Sequence, residues 1–353
     1  MKTEVIRIDP EFPDLKQIIH CAKVIRQGGL VIFPTETVYG LAADVSNPQA
    51  MKRLKEIKNR SENKPFSILV SHRSLIANYT SMTIPMLYKL INKFWPGPLT
   101  IIVPTKDGFA TVGVRMPDNL IALKLVDESQ CTIAAPSANE EGQEPPRTCE
   151  EALRYLDGKV EVAIDGGAAQ LGKSSSVVDL THGKPKVLRD GIITQEDIDR
   201  EAYKKNILFV CTGNSCRSVM AEYLLRQRLQ HRKDVEVASA GTGVFIRSTA
   251  SAETISVLRE KGIDANAHLS QSVNSLMLKQ SDLVFCMTRT HRNQILEHVP
   301  SVEKRVYLLK EFANIAPSEE NFDIPDPIGS SHESYQECLK IIEEAIDKIE
   351  RLV

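Results

Sequence analysis

The chain has 353 residues, which suggests two or three domains of ordinary size. Lys and Arg total 44 against 46 Asp and Glu, so no strong overall field favours nucleic acid or a membrane surface. The seven cysteines are scattered, without the spacing of a disulfide framework or a CxxC…CxxC zinc site. With no signal-like N-terminus and no apolar run long enough to cross a bilayer, the sequence predicts a reduced, cytoplasmic protein. Any cysteine chemistry in such a protein is more often catalytic than structural.

The first part of the chain, up to about Gly191, alternates short apolar runs with Gly and Pro turns and with helix-like stretches. This mixture predicts an α/β or α+β domain. The polar segment that follows predicts a linker, with a short helix that Thr194 could cap. The predicted strands include residues 30–33, 67–70, 99–103 and 176–180, and the predicted helices include residues 14–27 and 48–58.

The second part, from Asn206 onward, alternates strands and helices more regularly. Regular alternation of this kind predicts a parallel sheet that is covered by helices on both faces. We therefore place the domain boundary in the polar segment, with a linker at 195–205 and a second domain at 206–353. The predicted strands are residues 207–210, 235–238, 282–287 and 306–309, and the predicted helices are residues 218–230, 251–261, a segment from Thr290, and residues 333–352.

Cys211 ends the first of these strands, and a short loop leads from it to Arg217 and a predicted helix. A loop that runs into a helix N-terminus points its N–H groups inward and forms an anion-binding nest. The nest and Arg217 would stabilise a thiolate, and the guanidinium can grip two phosphoryl oxygens. Gly213 would allow a tight turn, and Asn214 tolerates left-handed backbone. A Cys-x5-Arg pattern alone is a modest signal, but strand, loop and helix follow the required order.

Asp326 precedes Pro327 near the C-terminus. A carboxylic acid on a proline-stiffened loop could protonate a leaving group and later activate water. An Asp-Pro pair is also a common turn, and in isolation the turn is the better interpretation.

Together these residues resemble the low-molecular-weight protein tyrosine phosphatase family. The similarity covers Asn206 to the C-terminus in the family's order, through Val-Cys-Thr-Gly-Asn-Ser-Cys-Arg-Ser, Ser239-Ala-Gly-Thr242, His268, Leu283-Val-Phe-Cys-Met-Thr288 and Asp326-Pro327. The resemblance implies a phosphocysteine at Cys211, phosphate binding by Arg217 and Asp326 as the general acid, without a metal. It also implies roles in the phosphate loop or its orientation for Thr212, Gly213, Asn214, Ser215, Cys216, Ser218 and His268. Cys216 stands where the family can form a reversible disulfide with the nucleophile.

Ser215 bears on the substrate of such a phosphatase. Tyrosine-directed members usually carry a bulky aliphatic residue here and aromatic residues after the Asp-Pro pair, where this chain has Ile328 and Gly329. Protein-arginine phosphatases of the family carry a small hydroxyl residue, which leaves room for a guanidinium. The resemblance therefore favours phosphoarginine over phosphotyrosine in a phosphoprotein substrate.

The first part has no evident nucleophile and instead carries polar clusters at its turns. Each cluster alone is best interpreted as a turn or a solvated charge. Their order resembles the YrdC family of threonylcarbamoyl-AMP synthases, through Gly28-Gly-Leu-Val-Ile-Phe-Pro-Thr-Glu-Thr-Val-Tyr-Gly-Leu, Lys58-x-Arg60, Pro-Ser-Ala-Asn and Ser-Ser-Val-Val-Asp179. The resemblance covers about Lys16 to Thr194 and implies an α/β domain on a twisted sheet, which we place at residues 1–194.

The family's reaction joins L-threonine, bicarbonate and ATP into threonylcarbamoyl-AMP, which other proteins use to modify a tRNA adenosine. The resemblance implies Mg²⁺ on the ATP phosphates, without direct ligation by side chains, and catalysis mostly by positioning and charge. Lys58, Arg60 and Arg189 would neutralise phosphates, Thr35 would contact threonine, and Arg115 is a further anion contact. The other residues that would hold nucleotide or threonine are Tyr39, Ser137, Asn139, Ser174 and Ser176.

Three functions stay open from the sequence. The first is a bifunctional synthase and phosphatase. The second is an active phosphatase joined to a nucleotide- or RNA-binding module, although the near-neutral net charge argues weakly against RNA affinity as the main function. The third is a phosphoprotein-binding module, against which the intact Cys211, Arg217 and Asp326 argue.

Overall fold

The computed structural model describes residues 2–59, 65–315 and 322–352. Its strands are β1 (Glu4–Arg7), β2 (Val31–Phe33), β3 (Gly40–Asp44), β4 (Ile68–Leu69), β5 (Leu99–Pro104), β6 (Thr111–Arg115), β7 (Ile133–Ala134), β8 (Val162–Asp165), β9 (Ser176–Asp179), β10 (Lys186–Arg189), β11 (Lys205–Cys211), β12 (Val235–Gly241), β13 (Leu283–Cys286) and β14 (Val306–Leu308). Its helices are α1 (Leu15–Arg26), α2 (Pro48–Ile57), α3 (Pro85–Phe94), α4 (Leu120–Ser129), α5 (Cys149–Leu156), α6 (Gln195–Ala202), α7 (Arg217–Arg228), α8 (Ala252–Glu260), α9 (Ser275–Gln280), α10 (Arg289–His298), α11 (Leu309–Phe312) and α12 (His332–Ile349). Within these ranges, no helix combines the length and the apolar character needed to cross a membrane.

The chain divides into two compact units. The first consists of Met1–Met82 and Leu90–Ala202, and the second of Thr83–Lys89 and Tyr203–Val353. The division after Ala202 falls inside the segment predicted as a linker. That segment carries α6, and the Thr194 hydroxyl accepts a hydrogen bond from Asp197 N at 3.2 Å, as a cap does.

The first unit is built on a mixed sheet, which confirms the predicted α/β class. In the described part of the chain its ten strands run in the order β1-β8-β2-β3-β7-β4-β6-β5-β9-β10, with both parallel and antiparallel pairs. Every residue of β2 and β3 is buried, as expected for strands covered on both faces. Alternate β2 side chains pack on opposite sides: Phe33 lies with α1 and α4, and Ile32 with α2 and α5.

The second unit is built on a parallel sheet, as predicted. Its four strands in the described residues run in the order β12-β11-β13-β14, and every neighbouring pair is parallel. Along β11, Ile207 and Phe209 face the cluster formed with α7, α8 and α12. Leu208 and Val210 face the opposite cluster, formed with α9 and α10. The carboxyl ends of β11, β12 and β13 therefore meet at one edge, where parallel sheets commonly place their functional residues.

Phe285, on β13, is fully buried, with its ring centroid 5.5 Å from that of Phe209 and 5.1 Å from that of Phe312. We expect Phe285→Ala to lower the unfolding free energy of the second unit by about 3–5 kcal/mol, because the cavity would form in a close-packed core. Urea unfolding followed by far-UV circular dichroism measures this loss. The fluorescence of Trp95, the single tryptophan of the sequence, reports on the first unit. Phe245→Ala is the matched control, since Phe245 is 97% exposed; equal losses in both variants would contradict the core assignment.

Candidate active sites

The loop from Cys211 to Arg217 folds back around the sulfur of Cys211. Cys211 is buried at the end of β11, and its Sγ lies 2.9 Å from Ser218 Oγ and 3.3 Å from the Asn214 N–H. Ser218 Oγ accepts a hydrogen bond from Asn214 Nδ2 at 3.0 Å, which leaves the hydroxyl hydrogen free to point to the sulfur. A thiolate at this position would thus receive one hydrogen bond from the backbone and one from a hydroxyl group.

Asn214 ties the loop together. Its φ of 50° is left-handed, and its side chain reaches across the loop. Nδ2 donates to Ser218 Oγ at 3.0 Å and to Ser239 Oγ at 2.7 Å, while Oδ1 accepts from Gln271 N at 2.9 Å. The left-handed residue of the turn is therefore Asn214, the residue that the sequence interpretation named as tolerating this backbone, and Gly213 does not adopt a positive φ.

A series of buried polar side chains in contact with one another extends from Asn214. His268 Nε2 lies 2.9 Å from Asn214 O, so this nitrogen carries the hydrogen and donates it to the carbonyl. Glu222 Oε2 lies 4.0 Å from His268 Nδ1 and accepts a hydrogen bond from the Ser239 hydroxyl. Glu222 is 5% exposed and pairs with Arg226 at 2.8 Å. The sequence interpretation included His268 but missed Glu222, although an acidic residue on the buried stretch of α7 was a usable signal.

The side chains of Arg217 and Asp326 form an ion pair, although the two residues are 109 positions apart in the sequence. Arg217 is the first residue of α7 and is 5% exposed; it donates to Ile324 O at 3.1 Å and to Asp326 Oδ2 at 2.5 Å. The Asp326 side chain remains 43% exposed. The predicted phosphate binder and the predicted acid thus lie side by side, and a phosphoryl group bound by Arg217 would lie next to that carboxyl.

His291 belongs to the same site and was missed from the sequence. It lies on the first turn of α10, is 3% exposed, and its Nε2 lies 2.9 Å from Thr212 Oγ1. Burial, and secondarily the charge of Arg217, lower the pKa of His291 to about 4, so the imidazole is neutral at pH 7. A histidine three residues after a capping Thr288, directly behind a buried strand, was the available signal.

Cys216, the loop residue directly before α7, is buried and is a free thiol. Its Sγ lies 3.5 Å from Ser251 Oγ, 3.6 Å from Ser215 Oγ and 3.7 Å from Tyr335 OH. Ser215 is half-buried, and its carbonyl accepts from Ser251 N at 3.0 Å. The disulfide between Cys216 and Cys211 stays a prediction.

In the first unit, Lys58, Ser137 and Asn139, which the sequence interpretation assigned to nucleotide binding, lie in contact with one another. Lys58 is 4% exposed, and its Nζ donates to Ser137 O at 3.1 Å, to Asn139 O at 2.6 Å and to Asn139 Oδ1 at 2.8 Å. The Ser137 hydroxyl also donates to Asn139 Oδ1, at 2.6 Å. The cluster lies beside the loop between β2 and β3, because Ser137 pairs with Gly40. Arg60, predicted for the same set, lies outside the described residues.

Thr35 and Tyr39 shape the loop between β2 and β3. The Thr35 hydroxyl donates to Val38 O at 2.6 Å. The Tyr39 hydroxyl donates to Gly167 O at 2.6 Å and accepts from Gly166 N at 3.2 Å. Burial raises the pKa of Tyr39 well above its usual value, so the phenol keeps its proton. Tyr39 thus holds a neighbouring loop, and the Thr35 hydroxyl already has an internal acceptor.

Arg115 is paired inside the protein. It donates to Glu36 Oε1 at 2.6 Å, to Thr37 Oγ1 at 2.9 Å and to Gly97 O at 3.2 Å. Both members of the ion pair are buried, and Glu36 Oε2 has no hydrogen-bond partner among the described residues. Arg115, predicted as an anion contact, therefore first serves to anchor the loop that carries Glu36, a residue that the sequence interpretation passed over.

The three serines at and directly before the start of β9, Ser174 to Ser176, have different surroundings. Ser176 is fully buried, accepts from Gly191 N at 3.1 Å and from Ile193 N at 3.0 Å, and donates to Ile193 O at 2.7 Å. Because the Ser176 hydroxyl hydrogen is already donated to Ile193 O, it cannot also be donated to a nucleotide in this arrangement. Arg189 donates to Ser175 O and to Ser175 Oγ, both at 2.9 Å. Ser174, which precedes Ser175 and Ser176, is half-buried.

Two family models match the chain. The Sua5/YciO/YrdC model, described as telomere recombination, matches residues 23–191, and the low molecular weight phosphotyrosine protein phosphatase model matches residues 206–352. The threonylcarbamoyl-AMP synthase of Bacillus subtilis is 38% identical over 192 residues, 52% of this chain and 56% of that protein. The chain spans about half the length of the first curated relatives that it matches.

Two solved structures are among those similar to this chain. Sua5 of P. abyssi complexed with L-threonine is 27% identical and covers 87% of this chain and 92% of its own, with a TM-score of 0.53. The YwlE arginine phosphatase from Geobacillus stearothermophilus is 36% identical and covers 42% of this chain and 92% of its own, with a TM-score of 0.39.

Gly241 tests how tightly the loop around Cys211 is packed. A Cβ on Gly241 would lie 2.3 Å from Thr212 O and 3.0 Å from Asn214 N, so the loop backbone would have to move. We expect Gly241→Ala to destabilise the second unit by about 1–3 kcal/mol and to change the alkylation rate of Cys211. Urea unfolding and iodoacetamide labelling measure both effects. Gly213→Ala is the control, because its Cβ would meet only Ser215 Oγ, at 3.4 Å; a control as disruptive as Gly241→Ala would contradict the packing argument.

Proposed function

We propose two enzymatic activities for this chain, which belongs to the Sua5/YciO/YrdC family through its first half and to the low-molecular-weight phosphatase family through its second. The first is synthesis of threonylcarbamoyl-AMP from L-threonine, bicarbonate and ATP. The second is hydrolysis of a phosphorylated side chain in a protein substrate. The observation that carries the phosphatase is the hydrogen-bonded loop around Cys211, with Arg217 and Asp326 beside it.

The phosphatase reaction uses these groups in two displacements. The Cys211 thiolate attacks phosphorus and forms an S–P bond while the bond to the leaving group breaks, and Asp326 gives its proton to the leaving group. Water then attacks the phosphocysteine, Asp326 takes its proton, and the thiolate leaves with inorganic phosphate as the product. The backbone N–H groups of the loop and the Arg217 guanidinium hold the three phosphoryl oxygens as charge develops.

Phosphoarginine is the substrate that we favour. Ser215 places a small hydroxyl in the loop, and its side chain is half-buried next to Cys216. A bulky aliphatic side chain at this position would fill the space that a guanidinium needs. Two positions after Asp326, the side chain of Ile328 is 63% exposed. An aromatic ring here could stack on phosphotyrosine, and this chain does not carry one.

We expect Cys211→Ser to lower phosphate release by at least about 10³-fold, because the reaction loses its nucleophile. Ser215→Ile should shift the ratio of kcat/KM for phosphoarginine over phosphotyrosine peptides towards phosphotyrosine by about tenfold or more, because it removes space and a hydrogen-bond acceptor. The measurement is release of phosphate from matched peptides. Ser330→Ala, at an exposed serine of the same unit, is the control. An unchanged ratio in Ser215→Ile would contradict the arginine preference, and full activity in Cys211→Ser would contradict the nucleophile.

The synthase activity is supported by the cluster of Lys58, Ser137 and Asn139. In the proposed reaction, the threonine amine and bicarbonate form a carbamate with loss of water. A carbamate oxygen then attacks the α-phosphate of ATP and releases pyrophosphate. Lys58, already held by carbonyl and amide oxygens, is positioned to exchange part of that set for phosphate oxygens.

Mg²⁺ enters this proposal only as the partner of the ATP phosphates. The side chains gathered in the cluster are a lysine, a serine and an amide, and not the carboxylates that Mg²⁺ prefers as protein ligands. Arg60 and Arg189 complete the set of cations that we assign to the nucleotide. The product would pass to proteins that modify tRNA, which are the partners of this unit.

Lys58→Ala should lower pyrophosphate formation by about 10²-fold or more, because the variant removes a cation from the developing charge. The assay is pyrophosphate release that depends on both threonine and bicarbonate. Lys52→Ala is the matched control, since Lys52 lies exposed on the same helix. Cys211→Ser should leave this rate unchanged. Tight RNA binding without ATP turnover would instead favour the nucleotide- or RNA-binding module.

A further inference from the structure

The side chain of His291 lies between two threonine hydroxyls. Its Nδ1 lies 2.8 Å from Thr288 Oγ1, and its Nε2 lies 2.9 Å from Thr212 Oγ1. Thr288 caps α10 and belongs to the same turn as His291. Thr212 belongs to the loop around Cys211, 79 residues away. The imidazole therefore links the start of α10 to the phosphate loop.

Thr212 stands at the exposed side of this loop. It follows the buried Cys211 directly and is itself exposed. Its backbone is held, because its carbonyl accepts from Gly243 N at 2.9 Å. With the backbone fixed in this way, the direction of the Thr212 hydroxyl depends on χ1 and on its partner, which is His291.

Charged groups on two other segments of the chain face His291. Arg217 lies on α7, and Asp323 and Asp326 lie on the segment that precedes α12. Burial and Arg217 outweigh the two carboxylates and keep the imidazole neutral at pH 7, with a pKa of about 4. A neutral imidazole has one donor and one acceptor nitrogen, and each has a threonine hydroxyl within hydrogen-bond distance. When Nδ1 donates to Thr288, Nε2 accepts the Thr212 hydrogen, and the lone pairs of Thr212 Oγ1 remain available.

We propose that His291 is a positioning residue that holds Thr212 as a hydrogen-bond acceptor for the leaving group, so that the pair favours a nitrogen-linked phosphoryl group over a phenolic one. A guanidinium leaving group carries N–H donors next to the bond that breaks, whereas the oxygen of phosphotyrosine carries none. An acceptor fixed at the exposed side of the loop therefore binds the first class of substrate and offers nothing to the second. This inference rests on the phosphatase activity proposed above and adds Thr212 as a residue that touches the substrate.

The test is a double-mutant cycle on the full chain. We expect Thr212→Val and His291→Phe each to lower kcat/KM for a phosphoarginine peptide by about tenfold, and to change it for the matched phosphotyrosine peptide by less than about threefold. The double variant should lose little more than either single variant, because both remove the same contact. Thr212→Ser should retain the preference for phosphoarginine, since it keeps the hydroxyl.

A second readout separates positioning from folding. In protein labelled with ¹⁵N at histidine, the His291 nitrogens at pH 7 should show a neutral ring with hydrogen on Nδ1, and Thr212→Val should shift the Nε2 resonance. Equal losses on both peptides, additive losses in the double variant, or hydrogen on Nε2 would each overturn the inference. If wild-type protein releases no phosphate from either peptide in a Cys211-dependent way, the proposed phosphatase itself fails, which is a different result from normal turnover without a Thr212 effect.

Discussion

The chemistry of the second unit depends on the hydrogen bonds made by one side chain, that of Asn214. Left-handed backbone costs a non-glycine residue roughly 1–2 kcal/mol. Three side-chain hydrogen bonds, to Ser218, to Ser239 and from the Gln271 backbone, offset that cost at about 1 kcal/mol each. The same bonds turn the Asn214 N–H and the Ser218 hydroxyl towards the sulfur of Cys211. One asparagine thus couples the shape of the loop to the hydrogen bonds around the sulfur.

In the first unit, two buried cations are each paired with oxygen atoms of the protein. Lys58 lies against oxygens of Ser137 and Asn139, and Arg115 against Glu36. A buried charge without such partners would carry a large desolvation penalty.

Much of this organisation could be predicted from local sequence. The run from Ile207 to Cys211 is apolar and is followed by a loop and a helix. Strands and helices can be recognised in a sequence because chain geometry alone sets the period at which their side chains return to the same face. The predicted α/β class of the first unit and the parallel sheet of the second are both confirmed. Glu222, Glu36 and His291 were missed because their importance comes from partners far away in the chain, which leave no periodic pattern.

The sequence by itself determined which residue types could do chemistry: a cysteine at the end of a strand, an arginine at the start of a helix and a lysine at the end of another. Only the tertiary structure decided how each is used. It brought the Asp326 carboxyl next to the Arg217 guanidinium, engaged the Ser176 hydroxyl in three hydrogen bonds with backbone groups, and gave Asn214 the side-chain hydrogen bonds that hold the loop together. The physical reason is that a hydrogen bond depends on distance and direction between groups that the chain folds together, and neither quantity is encoded in the spacing of the residues.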